Sequence, residues 1–190
     1  MPRIEELCEQ VVSFCPVYTG EGNCTEILLH DGCKVIDQRS LNSVRRALAR
    51  CYSVDLEAQG KEISLLFGRR SPLPFYLPPK TLERVGRVFI PFRMRRPRVH
   101  HDAASGFYDI SYITRPEAKE SGSLLHLSTG SRVKVFGSLA AARANIFLGR
   151  ELADHFGQAR RADDENDVLQ AVTVIGRYLQ RIEERLSRLV

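Results

Sequence analysis

Four arginines fall within six positions, Arg93, Arg95, Arg96 and Arg98, and a further pair, Arg69-Arg70, ends an earlier apolar run. A guanidinium donates in a planar fork that matches phosphate oxygens and the acceptor edges of bases. Clustered arginines suit a polyanion, because each phosphate neutralised releases counterions and arginine also enters a narrow minor groove. The charge distribution sharpens the point. The net charge is +5, yet residues 84–101 hold six arginines and no acid, so the rest of the chain sums to −1. Arginine outnumbers lysine 23 to 5. The four clustered arginines lie between a strand that ends near Pro91 and another that begins near Phe107, on a loop that a sheet can hold rigid.

The other reactive side chains form no catalytic pattern. His100-His101-Asp102 reads as a solvated loop, and Ser71, Ser105 and Ser128 stand beside Gly or Pro as turn serines do. There is no G-x-S-x-G, P-loop, G-x-G-x-x-G or paired-His metal motif. The five cysteines, Cys8, Cys15, Cys24, Cys33 and Cys51, are odd in number and lack a C-x-x-C spacing, which reads as reduced thiols in a reducing compartment. Cys24, His30 and Cys33 are the only grouping with a zinc-like flavour, and their spacing matches no established site. The expectation is a non-enzyme with no cofactor and no metal. No apolar run approaches the ~20 residues of a membrane span, and MPRIEELCEQ does not read as a signal peptide, so a cytoplasmic protein with no membrane partner is expected.

The elements that must position the arginines are organised around a repeat. Residues 27–45, ILLHDGCKVIDQRSLNSVR, align without a gap with residues 125–143, LHLSTGSRVKVFGSLAAAR. Leu29/Leu127, Gly32/Gly130, Val35/Val133, Ser40/Ser138, Leu41/Leu139 and Arg45/Arg143 are identical, and Ile27/Leu125 and Lys34/Arg132 are conservative. Each copy reads as a strand, a Gly turn, a second strand, and a Ser that N-caps a helix. Around the copies, a helix is expected over residues 4–12, strands over 62–68, 85–92 and 106–114, an edge or lead-in over 73–77, and an exposed loop over 116–122. The second helix is expected from 138 to about 156, and a linker over 157–161. A last helix then carries Val168, Val172, Ile175, Leu179, Ile182, Leu186 and Leu189 at alternating spacings of four and three, a heptad seam.

An ordered series of segments resembles a known family. The series comprises the hairpin with Asp31-Gly32, the helix running into Cys51-Tyr52, and Ala58-Gln59-Gly60-Lys61 where the family tends to have Ala-Gly-Arg. It continues with Leu77-Pro78-Pro79, with Val88-Phe89-Ile90-Pro91, and with Ser128-Thr129-Gly130 followed by a strand and Ser138-Leu139. Residues 24–156, about 70% of the chain, resemble the ComK-like competence transcription factors of Gram-positive bacteria. The resemblance implies a DNA-binding activator that acts as an oligomer on AT-rich promoter boxes through the minor groove, with RNA polymerase as a further partner. Each hairpin–helix unit is also similar to LytTR-type DNA-binding domains. The chain departs from the family in two places. It has no tryptophan, where the family tends to carry one after the Phe-Pro strand, and Tyr108 or Tyr112 stands in. The heptad helix replaces a tail that serves adaptor-guided proteolysis.

The expected architecture is thus α+β: a mostly antiparallel sheet made of two repeated hairpin–helix units, with an N-terminal helix and a C-terminal heptad helix. Residues 1–156 form the DNA-binding domain and residues 163–190 the dimerisation helix, giving a homodimer or higher homo-oligomer on double-stranded DNA. The rival expectation is an interaction or scaffold protein that uses the heptad helix as a coiled coil, with the arginine loop structural.

Overall fold

A computed structural model of the chain describes residues 3–20, 22–68, 71–81, 85–99, 102–159 and 172. The elements in order are α1 (Ile4–Leu7), β1 (Val11–Thr19), β2 (Gly22–Leu29), β3 (Lys34–Asp37), α2 (Leu41–Arg50), α3 (Leu56–Phe67), β4 (Phe75–Leu77), β5 (Arg87–Arg93) and β6 (Ser105–Asp109). A 3-10 turn (Ile110–Tyr112) leads to β7 (Ile113–Lys119), β8 (Gly122–Leu127) and β9 (Arg132–Val135). Residues 139–159 are helical and are termed α4. The fold is α+β, as the alternation of hairpins and capped helices implies. A six-stranded sheet runs β3-β2-β1-β6-β5-β4 and a three-stranded sheet runs β7-β8-β9, with every pairing antiparallel.

The strand prolines show how the sheets tolerate them. A proline gives no amide to a ladder, so it needs a free side. Pro16 sits on β1 beyond the point where β6 pairs, which is only at Ser13 and Phe14. Pro91 lies past the β4 pairing of β5, which covers residues 87–89. Pro116 lies on the edge strand β7.

Alternation sorts the large sheet into two faces. On one face Phe14, Phe75, Phe89 and Phe107 form a buried ring cluster, with centroids 5.2 to 6.2 Å apart along the contacting pairs. Leu41, Val44, Ala47 and Leu48 of α2 pack on it, as their i, i+3, i+6, i+7 spacing dictates. Val88, Ile90 and Tyr108 are buried on the opposite face. There α4 approaches so closely that a Cβ on Gly149 would lie 2.8 Å from Ile90 Cγ2 and 2.7 Å from Ile110 Cδ1. Asn145 on α4 donates to Pro91 O at 3.1 Å, tying the helix to β5.

The repeat is reproduced bond for bond. Ile27 pairs with Val35 and Leu125 with Val133, and the flanking pairs match in step. In each turn the amide of Leu29 or Leu127 donates to the carbonyl of Cys33 or Ser131 at 2.9 Å. Gly32 and Gly130 take φ of +86° and +82°, which a side chain would oppose. The buried hydroxyls of Thr25 and Ser123 each donate at 2.9 Å to the carbonyl before the cap, Arg39 O and Gly137 O. Ser40 and Ser138 then accept from the amides of Ser43 and Ala141 at 3.4 and 3.2 Å. The correspondence also extends upstream. β1 pairs with β2 as β7 pairs with β8, and both pairings carry an irregularity two residues in, at Val11/Ser13 and Ile113/Arg115. Each copy is therefore a three-stranded sheet followed by a capped helix, and α3 with β4–β6 is inserted between the copies.

Several segment expectations need correction. Residues 62–67 belong to α3, with Gly68 as its left-handed C-cap, and form no strand, because Asp55 caps that helix by accepting from the amides of Glu57 and Ala58. The first helix stops at Leu7, and Val11 opens β1, whose first four residues are buried. Residues 116–119 continue β7. The strand expected over 106–114 breaks at the 3-10 turn, where Asp109 accepts from Ser111 N at 3.0 Å. Residues 157–159, expected as linker, are helical.

The chain divides into two units, Met1–Ala153 and Asp154–Val190. In the second, residues 154–159 are helical, and Val172 is helical and 62% exposed. Val168, Ile175, Leu179, Ile182, Leu186 and Leu189 lie outside the described residues.

Candidate nucleic-acid interface

β5 carries Arg93 at its last position, and the chain that follows is fastened at its base. The amides of Met94 and Arg95 donate to Ala104 O at 2.8 and 3.2 Å, and Arg93 O accepts from Phe136 N at 2.7 Å. The outer part of the loop is held by Tyr18 on β1. Tyr18 Oη donates to Asp102 Oδ2 at 2.6 Å and accepts from Arg98 N at 2.8 Å. The guanidinium carbons of Arg95 and Arg98 lie 3.9 and 4.5 Å from the Tyr18 ring centroid, well within cation–π range. Asn23 on β2 completes the mount: it accepts from Arg95 Nη2 at 2.6 Å and donates to Asp102 Oδ1 at 2.9 Å. Arg95 Nε donates to Ala103 O at 2.9 Å.

The arginine run divides by role. Arg87 is a core residue. It donates to Asp109 Oδ2 at 2.6 Å, with 16% and 0% of the two side chains exposed, and also reaches the carbonyls of Cys8, Glu9 and Val11. Burial opposes its charge, but the charge and hydrogen bond of Asp109 prevail and hold the guanidinium above its ordinary pKa. Arg93, Arg96 and Arg98 are exposed, while Arg95 is half-buried. Arg95 Nη1 is buried and has no hydrogen-bond partner among the described residues. No ion pair among the described residues involves any of these four. Asp102, the nearest acid in sequence, is engaged by Tyr18 and Asn23. The loop therefore presents four arginines against the single acid Asp102, a net positive charge on a braced support.

The structure thus brings Arg93, Arg95, Arg96 and Arg98 together, whereas Arg69, Arg70, His100 and His101 lie outside the described residues. Sequence reasoning missed Tyr18, Asn23 and Asp102. The signal for Tyr18 was the run VVSFCPVYT, a strand pattern obscured by its proline; nothing in the sequence marks Asn23 as its neighbour. Cys24 is buried and Cys33 exposed, and all five cysteines are free thiols. Among the described residues no group of three or more His, Cys, Asp or Glu side chains is arranged to hold a metal ion. Among the same residues no helix is long and apolar enough to cross a membrane. Comparison with protein-family models, with curated proteins and with solved structures finds no match.

Proposed function

We propose that the protein is a sequence-specific DNA-binding transcriptional regulator, an activator of the ComK-like kind, cytoplasmic and acting on AT-rich promoter boxes. The observation that carries this reading is the arginine loop itself: four guanidiniums without counterions, two of them stacked on Tyr18, which is fixed in turn by Asp102. A braced loop loses little conformational freedom on binding, and arginine is the side chain best matched to a narrow, electronegative minor groove. The heptad seam from Val168 to Leu189 supports a homodimer that sets two such loops on one duplex, which raises affinity through effective concentration. Mobility shift on AT-rich against GC-rich duplex tests the reading: preferential retardation of the AT-rich probe is expected, and no retardation of either refutes it. Light scattering on a chain lacking residues 162–190 tests the oligomer. A monomer that still binds DNA weakly is expected, and a persisting dimer removes the heptad from the interface.

One observation favours the rival scaffold reading. Arg95 spends its hydrogen bonds on Asn23 and Ala103 and so braces the loop from within. On that reading the loop is only a structural brace, and the protein retards no duplex.

A further inference from the structure

Arg45 leaves α2 towards the aromatic cluster and ends over the rings of Phe107 and Phe75, 4.9 and 5.2 Å from their centroids. Its Nε is buried without a hydrogen-bond partner among the described residues. One donor of this half-buried guanidinium has thus given up water without gaining a partner, and no ion pair among the described residues balances its charge, an arrangement that carries a cost. Burial, with Arg46 adding like-charge repulsion, brings its pKa down to about 10. The two carboxylates nearby are committed elsewhere. Asp55 accepts from the first amides of α3, and Glu57 pairs with Lys61 at 2.8 Å. The counterpart in the second copy, Arg143, is simply exposed. What distinguishes Arg45 is the presence of α3, whose residues form a cleft with it.

That cleft is a wide-open hollow of about 650 Å³, lined by Arg45, Ser64, Ser71 and the Glu57–Lys61 ion pair on its polar side and by Leu56, Leu65 and Leu73 on its apolar side, so that Arg45 is its one cation without an acid partner among the described residues. Leu65 is 86% exposed, a large apolar side chain left in solvent at the mouth of the cleft. Beyond Arg45 the surface continues into a second hollow of mixed charge, which carries Arg46 and Arg50 together with Asp55 and Glu57. A cationic fork held flat by two rings, next to a leucine wall, asks for an anion with an apolar body.

We propose that this cleft binds a small amphipathic carboxylate, with the carboxylate on the Arg45 guanidinium and the hydrocarbon along Leu56, Leu65 and Leu73. Nε is buried out of reach, so the carboxylate is taken by the two Nη groups at the outer edge of the planar fork, in two parallel hydrogen bonds. A free phosphate fits less well, since it would leave the leucines uncovered and would set a strongly hydrated dianion against them. The volume lies within the ~300–1,000 Å³ of small-ligand pockets. The site is independent of the arginine loop and does not rest on the DNA-binding reading.

The test uses the full-length, isotope-labelled chain titrated with octanoate, and in parallel with octanol, octylamine and inorganic phosphate, followed by amide chemical shifts. Octanoate is expected to give saturable shifts confined to residues 42–49 and 56–65, with octanol, octylamine and phosphate at least several-fold weaker. Arg45→Met is expected to weaken octanoate about tenfold or more while leaving octanol unchanged. Leu65→Ser, at an exposed position that leaves the fold intact, is expected to weaken octanoate several-fold and so decides the matter if Arg45→Met fails to fold. Equal binding of octanol and octanoate, equal shifts with phosphate, or octanoate binding that ignores both substitutions overturns the proposal.

Discussion

Arg95 and Arg96 are neighbours in sequence with the same side chain, and their removal should have opposite signatures. Arg95→Ala deletes two hydrogen bonds, to Asn23 Oδ1 at 2.6 Å and Ala103 O at 2.9 Å, and a stack 3.9 Å over Tyr18. Half-buried hydrogen bonds are worth about 1 kcal/mol each and the stack ~0.5–1 kcal/mol. Against this, the unpartnered Nη1 no longer has to be buried, which returns about 1 kcal/mol. The net destabilisation is then ~1–2 kcal/mol. For a chain of this size each kcal/mol lowers the thermal midpoint by ~2–4 °C, so a fall of roughly 2–8 °C is expected. Arg96 is exposed and makes no interaction of this kind, so Arg96→Ala should stay within ~0.5 kcal/mol of the parent. Scanning calorimetry of the two variants decides it. An unmoved midpoint for Arg95→Ala, or equal falls for both, would show that the Tyr18 mount does not exist in solution.

Other consequences follow from the paired copies and from the acid network. Ser40→Ala and Ser138→Ala should each cost about 1 kcal/mol and add in the double variant, measured by denaturant unfolding; a loss at one site alone would show the copies to be inequivalent. Thr25→Val and Ser123→Ala should each cost ~1–3 kcal/mol, because each leaves a carbonyl before a helix cap without its donor. Arg39 donates to both Glu5 and Asp37, and its hydrogen bond holds Glu5 down to about 2. A depressed carboxyl stabilises the fold above its unfolded pKa of about 4.5 and loses that contribution as pH falls towards 2. Urea midpoints followed from pH 5 to pH 2 should therefore fall in the parent and fall less in Arg39→Met; parallel curves would dismiss the linkage.

The parts of the fold legible in the sequence were those written in local chemistry. The turn glycines, the cap serines and the apolar register of residues 27–45 and 125–143 determine each hairpin–helix step by short-range bonds, so identity of residue type carried identity of structure. The upstream strands were not legible, since Phe14 and Pro116 fill equivalent places opposite Ile27 and Leu125 and share nothing as side chains. α3 was misread for a related reason. Gly60 reads as a breaker, yet it lies inside the helix Leu56–Phe67. The Asp55 cap and the Glu57–Lys61 pair were the better signals. In the candidate site the arginines announce themselves by charge. Their mount does not, because Tyr18 and Asn23 arrive from more than seventy residues away through strand pairing. Arg87 belonged to the same basic run by sequence, and only its burial against Asp109 separates it from the surface group.

The salt dependence of DNA binding tests the central claim most directly. Affinity for an AT-rich duplex is measured across ionic strengths for the parent and for Arg93→Ala/Arg96→Ala, which removes two exposed loop cations and no described internal bond. If the loop lies on the phosphate backbone, the parent slope of log K against log salt is several units, and the double variant is shallower by roughly 0.9 for each phosphate no longer neutralised. An unchanged slope, or no measurable binding by the parent at low salt, contradicts the account.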